Sequence, residues 1–138
     1  CIREGTIKNI RFFNVTAKGE NGVLIHGNED NIIEDVTFEN CSIELTKTSK
    51  WQCGLYDLRP CLDYGVESYD NSAFFIRYAK DVNIRKTKTR WGNLCDSYSY
   101  AIDAANVENL NLYEFDGKSA KENTDDIKID RVKLNYKR

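Results

Sequence analysis

The sequence has no methionine, a single proline and a single histidine, His26, in its 138 residues. One histidine and no Cys-x-x-Cys pair fall short of the ligand set of a zinc site, and no metal or other cofactor is expected. Neither sign of charge is in excess. Twenty Lys and Arg stand against 22 Asp and Glu, interleaved along the chain. A nucleic-acid binder would carry a basic stripe, so no nucleic-acid partner is expected. No apolar run reaches the ~18 residues of a membrane span, and no signal peptide opens the chain. The chain starts at Cys1 rather than Met, which points to a fragment, a processed product or a trimmed chain. A trimmed start would take any targeting signal with it.

What is present is one domain's worth of chain, residues 1–138, with 41% apolar and 30% charged residues. That is enough to enclose a modest core. Cys1, Cys41, Cys53, Cys61 and Cys95 are odd in number, so at least one is unpaired within the chain. Cys53 and Cys61 flank a short loop and are the candidate local disulfide. Cys41 suits an apolar core slot.

An internal repeat decides the expected fold. Its pattern is apolar, two residues, apolar, one residue, apolar, two residues, then a small or apolar residue. Ile7, Ile10, Phe12 and Val15 form the first copy, and Ile33, Val36, Phe38 and Cys41 the second. Ala79, Val82, Ile84 and Thr87 follow, then Val107, Leu110, Leu112 and Phe115, then Ile129, Val132 and Leu134, which runs out at Lys137. The copies are offset by 26, 46, 28 and 22 residues. The interval of 46 is either two rungs or one rung with a long excursion.

The central apolar pair of each copy alternates with period two, which is a strand signal. Asn9, Asp35, Asp81 and Asn109 precede the second apolar position, with Arg131 there in the last copy. Asn and Asp tolerate left-handed backbone, as do Asn14 and Asn40, which match one place before the fourth apolar position. Val23–Ile25, Phe74–Ile76 and Tyr100–Ile102 read as further strands of the same coil. Short strands, corners every few residues and a period in the twenties predict a solenoid. The expected fold is all-β, a right-handed parallel β-helix with a loop insertion around residues 48–71. That insertion holds the only proline, three of the eight tyrosines and one of the two tryptophans. Residues 118–126 are polar and predict a surface loop.

Gly5-Thr-Ile-Lys-Asn-Ile-Arg-Phe-Phe-Asn-Val15 resembles a rung of family 28 glycoside hydrolases, the polygalacturonase group. Gly22 to Gly27 and Ile33 to Asn40 resemble the coil that follows it, and Gly54 to Pro60 resembles an insertion of bacterial relatives that degrade polysaccharides. The resemblance spans roughly residues 5–115. It implies an inverting hydrolase with paired carboxylates, placed in Asn-Thr-Asp, Asp-Asp and Gly-His-Gly motifs followed by Arg-Ile-Lys. It also implies an extracellular or periplasmic setting. The catalytic motifs are not recognisable here. Asn123-Thr124-Asp125-Asp126 lies at the wrong end, Ile25-His26-Gly27 lacks the first glycine, and no Arg-Ile-Lys occurs. By the resemblance, the chain supplies post-catalytic rungs, and catalytic carboxylates would precede Cys1. Fold alone does not confer activity.

Trp51, Tyr56, Tyr64, Trp91 and Tyr98 are candidate sugar-stacking rings. Asp57 and Arg59 alternate with Tyr56 and Leu58, so they share a face and are candidates to bind a uronate, Arg as a bidentate fork. Arg77 and Asp103 are expected beside one groove. Two functions compete: a subsite-bearing part of a polysaccharide-degrading β-helix, and a non-catalytic glycan-binding or assembly module. Either way the apolar end of the first rung is expected to need a cover, from N-terminal rungs or a partner chain.

Overall fold

The computed structural model describes residues 5–59 and 65–138, and all of their regular structure is strand. In chain order the strands are β1 (Lys8–Phe13), β2 (Thr16–Gly19), β3 (Val23–His26), β4 (Ile33–Glu39), β5 (Ser42–Leu45) and β6 (Leu55–Asp57). They continue as β7 (Val66–Ser68), β8 (Phe74–Arg85), β9 (Lys88–Trp91), β10 (Ile102–Tyr113) and β11 (Ile127–Lys137). No helix of the described residues is long and apolar enough to cross a membrane.

Two parallel sheets carry the architecture. One runs β1-β4-β8-β10-β11, with β3 joined to the first part of β8; the other runs β2-β5-β9. Parallel neighbours need a crossover, and here the second sheet and its loops supply it. The repeat stands in register: Ile10 faces Val36, Val36 faces Val82 and Val82 faces Leu110. Phe12, Phe38, Ile84 and Leu112 form the next column. Because β4 pairs directly with β8 and β5 with β9, the long interval is one repeat with an excursion.

The turn-forming Asn and Asp sit where the repeat predicts. Asn9, Asp35, Asp81 and Asn109 have φ of 60°, 53°, 55° and 62°, and Asn14 and Asn40 have 57° and 53°. Left-handed backbone costs an ordinary residue roughly 1–2 kcal/mol. Asn and Asp lessen that with local hydrogen bonds, and here they also bond between copies of the repeat. Asn40 Nδ2 donates to Asn14 Oδ1 at 2.8 Å, and Asn109 Nδ2 to Asp81 Oδ1 at 2.9 Å.

Two expectations need correction. The preceding strands at Phe74 and Ile102 are not separate elements, because β8 and β10 run on for 12 residues through left-handed Tyr78 and Asn106. The last copy is also out of step with the spacing. Val132 pairs with Val107, Leu134 with Leu110 and Tyr136 with Leu112, while Ile129 falls beside Ala104. One residue separates Val132 from Leu134 where two separate Val107 from Leu110, and the register shifts there. Arg131, left-handed at φ 53°, therefore follows Asn106 rather than Asn109.

The core lies between the two sheets. Val82, Ile84, Leu110 and Leu45 are fully buried, Cys41 is buried among them as its pattern position requires, and Phe38 packs edge-on to Phe74 at 5.2 Å. The excursion makes a second, smaller core on the outer face. Strand alternation sends Phe75 outward, and Tyr56, Leu58 and Tyr69 close over it, with the Tyr56 and Phe75 rings stacked at 4.7 Å. Full burial of a side chain of this size stabilises by roughly 2–3 kcal/mol. The antiparallel β6–β7 hairpin carries that cover.

Both ends of the excursion are anchored. Glu20 accepts hydrogen bonds from Thr48 N at 2.9 Å, Thr48 Oγ1 at 2.8 Å and Ser49 N, and an ion pair from Lys47 at 3.1 Å. Those donors hold its carboxyl far below the usual carboxylate range. At the other end the buried Asn71 Oδ1 accepts from Gly54 N at 2.7 Å and Ser97 Oγ at 2.6 Å, while its Nδ2 donates to Asn21 at 2.9 Å. The expected polar loop at 118–126 is present, and Asp126 ties it down by accepting from Ser119 N at 2.8 Å and Lys118 at 3.0 Å.

Candidate functional site

The outer face of the larger sheet carries a groove of about 380 Å³ beside the excursion. Two outward rows cross it. Leu24, Phe75, Asp103 and Lys128 form one, and His26, Arg77, Ala105 and Asp130 the other. The small Ala105 leaves the floor low between longer neighbours, and Tyr69, Tyr78 and Arg131 complete the walls.

At its centre Arg77 and Asp103 form a nearly buried ion pair, Nη2 to Oδ1 at 2.9 Å. Arg77 Nη1 also donates to the carbonyls of Ile76 and Asp103 at 3.0 and 3.1 Å. Its guanidinium lies 3.9 Å from the Phe75 ring centre and 6.0 Å from that of Tyr69, a cation held over these aromatic rings. Lys128 Nζ stands 3.9 Å from the second oxygen of Asp103. The other carboxylate, Asp130, pairs with Arg131 at 3.2 Å.

His26 is half-buried, its ring parallel to Phe75 at 6.5 Å and 6.4 Å from Tyr78. Burial pushes its pKa down, and the Arg77 charge adds to that, against backbone hydrogen bonds that raise it. The imidazole is therefore neutral at pH 7.

Each sequence-predicted residue now has a place. Tyr56 is 3% exposed, its faces taken by Phe75 and Tyr69, and its hydroxyl accepts from Ser72 N at 3.3 Å, so it offers no stacking platform. Tyr98 is likewise buried, donating to the Glu20 carbonyl at 2.8 Å. Trp91 packs on Tyr98 at 5.3 Å and donates to the Lys118 carbonyl at 2.8 Å, bracing the 118–126 loop. Trp51 is well exposed beside Lys50, and neither tryptophan lines the groove.

Asp57 and Arg59 do share a face, but they pair with each other, Nε to Oδ1 at 2.9 Å and Nη2 to Oδ2 at 2.5 Å. The Arg59 guanidinium holds the Asp57 carboxyl down at about 2. Tyr64 and Cys61 lie outside the described residues, so the Cys53–Cys61 pairing does too. Arg77 and Asp103 do flank one groove, as the sequence led us to expect. Tyr69, Tyr78 and Lys128 were missed; Lys128 could have been found by its place on an outward row, while Tyr69 lies in the excursion and Tyr78 at a left-handed position inside β8, where spacing gives no signal.

The Arg77–Asp103 link has relatives outside the groove. Arg11 reaches Asp35 at 2.7 Å and Arg90 reaches Asp116 at 2.6 Å, each also donating to the Asp carbonyl. A larger depression of about 700 Å³ lies elsewhere, over Asn83, Asn111 and Asn135. Those amides bond to one another at 3.1 and 2.8 Å. Among the described residues no group of three or more His, Cys, Asp or Glu side chains could hold a metal ion. Comparison of the chain with protein-family models, curated proteins and solved structures finds no match.

Proposed function

We propose that the chain is a run of right-handed parallel β-helix from a polysaccharide-degrading protein of the polygalacturonase kind, and that its groove holds an acidic sugar without cleaving it. The observation that carries this reading is the groove itself. Tyr69 and Tyr78 line it with aromatic side chains, and Lys128 and Arg131 bring partly exposed cations to it that suit a uronate carboxylate. The parallel register, returning through a second sheet, supports the β-helix part of the reading. Hydrolysis would need a carboxylate pair free to act on the glycosidic bond. Here Asp103 is engaged by Arg77 and Lys128, and Asp130 by Arg131.

The test is a titration of short oligogalacturonates into isotope-labelled protein. Amide shifts should cluster at Tyr69, Lys128 and Arg131, and Lys128→Ala should weaken binding by about tenfold, ~1.4 kcal/mol. No reducing ends should be released. Shifts absent from the groove, or turnover by this chain, would sink the proposal.

The recurrence of the Arg–Asp link outside the groove favours a second reading, a structural or assembly module. Strand β1 supports it as well, since among the described residues it pairs only with β4 and leaves Ile7 and Phe13 half exposed. A further strand, from this protein or a partner chain, would cover that edge.

A further inference from the structure

Cys53 and Cys95 are distant in sequence and adjacent in space. The Cys95 thiol is near enough to the Cys53 thiol to help raise its pKa, and Cys95 Sγ lies 3.5 Å from Ser97 Oγ. Their backbones ride against each other. A side chain built on Gly54 would start 3.1 Å from the Ser97 Cβ, and Asn71 Oδ1 accepts from both Gly54 N and Ser97 Oγ. Both are free, partly exposed thiols, within reach of a small reagent. Cys41, the other free thiol among the described residues, is buried against the carbonyls of Phe12 and Glu39, each at 3.4 Å, and does not compete.

We propose that Cys53 and Cys95 are a disulfide-forming pair that fastens the excursion to the turn after β9. The oxidant is a low-molecular-weight disulfide. One cysteine thiolate attacks it, forming a mixed disulfide and expelling one thiolate; the second cysteine thiolate then displaces the other. Two protein thiols lose two protons and two electrons, one S–S bond forms, and the oxidant is reduced to two thiols. Asn71 already holds both segments, so bridging them asks for little rearrangement. Burial holds the Cys53 thiol above its usual pKa, and closure therefore quickens as pH rises. The clasp adjoins the groove wall, because Tyr69 N donates to Gly54 O at 3.0 Å. Oxidation thus fixes the wall whatever the groove binds.

The test is cysteine mapping of the full chain after incubation with oxidised glutathione, alkylation under denaturing conditions and proteolysis. The Cys53 and Cys95 peptides should be recovered joined, and dithiothreitol should separate them. Cys61→Ser should leave the link in place, and Cys95→Ser should leave Cys53 as a glutathione adduct. Recovery of Cys53 joined to Cys61, or of both cysteines as alkylated thiols, would overturn the proposal.

Discussion

Arg77 bonds to Asp103, which sits two places before Ala105, the residue opposite Arg77 in the sheet. Arg11 and Asp35 keep the same offset from the Arg11–Thr37 pairing, and Arg90 and Asp116 from the Lys88–Asp116 bridge. The diagonal suits a long side chain leaning along the strand to its neighbour. Burial separates the three in energy. Asp103→Ala should cost about 3 kcal/mol, because it strands a nearly buried guanidinium. Asp116→Ala, in an exposed pair, should cost less than about 1 kcal/mol. Urea unfolding of the two variants measures the contrast, and equal losses would refute it.

His26 gives a pH signature. Its folded pKa lies below 6.5, so the unfolded chain takes the proton more readily. Stability is therefore full above pH 6.5 and falls as pH drops through that value. The imidazole resonance in NMR should titrate below 6.5, and Arg77→Met should move its midpoint up by removing a repelling charge. A midpoint unmoved in that variant would show that the Arg77 charge does not reach the ring.

Lys86 is left-handed at φ 46° in the column that holds Asn14 and Asn40. Lys86→Gly should stabilise the fold by roughly 0.5–1 kcal/mol, relief of the left-handed strain less the entropy of glycine. In the neighbouring column, Asn109→Val should destabilise by about 2 kcal/mol, losing the bond to Asp81 and placing a β-branched residue at φ 62°. Thermal unfolding of the pair should move in opposite directions.

Gly27 closes β3 where the chain passes against the carbonyls of Tyr78 and Asn31. A methyl group there has no room and meets backbone rather than a movable side chain. Gly27→Ala should cost about 2–3 kcal/mol, and amide exchange should quicken first across the pairing of β3 with β8.

The sequence revealed those features that repeat at rung spacing. Apolar columns and left-handed Asn and Asp recur with each turn, so their places could be read without coordinates. The last rung escaped because it drops one residue between Val132 and Leu134, and apolar spacing carries no mark of a bulge. Tyr56 was misjudged because its covering partner, Phe75, reaches the outer face only by strand alternation. Asn71 and the Cys53–Cys95 contact join segments outside the repeat, where nothing in the spacing brings them together. The Arg–Asp links were legible in principle, since 24 or 26 residues separate each pair, close to the rung interval.

Parallel stacking also governs how the chain must assemble. Apart from the β6–β7 hairpin, each strand finds its partner more than 20 residues away. Loop closure precedes any gain from such contacts, so folding is slow for a chain of this length. The excursion lies inside the longest closures, from β3 and β4 to β8 and from β5 to β9. Those closures join the two halves of the chain, and they are the costliest in loop entropy.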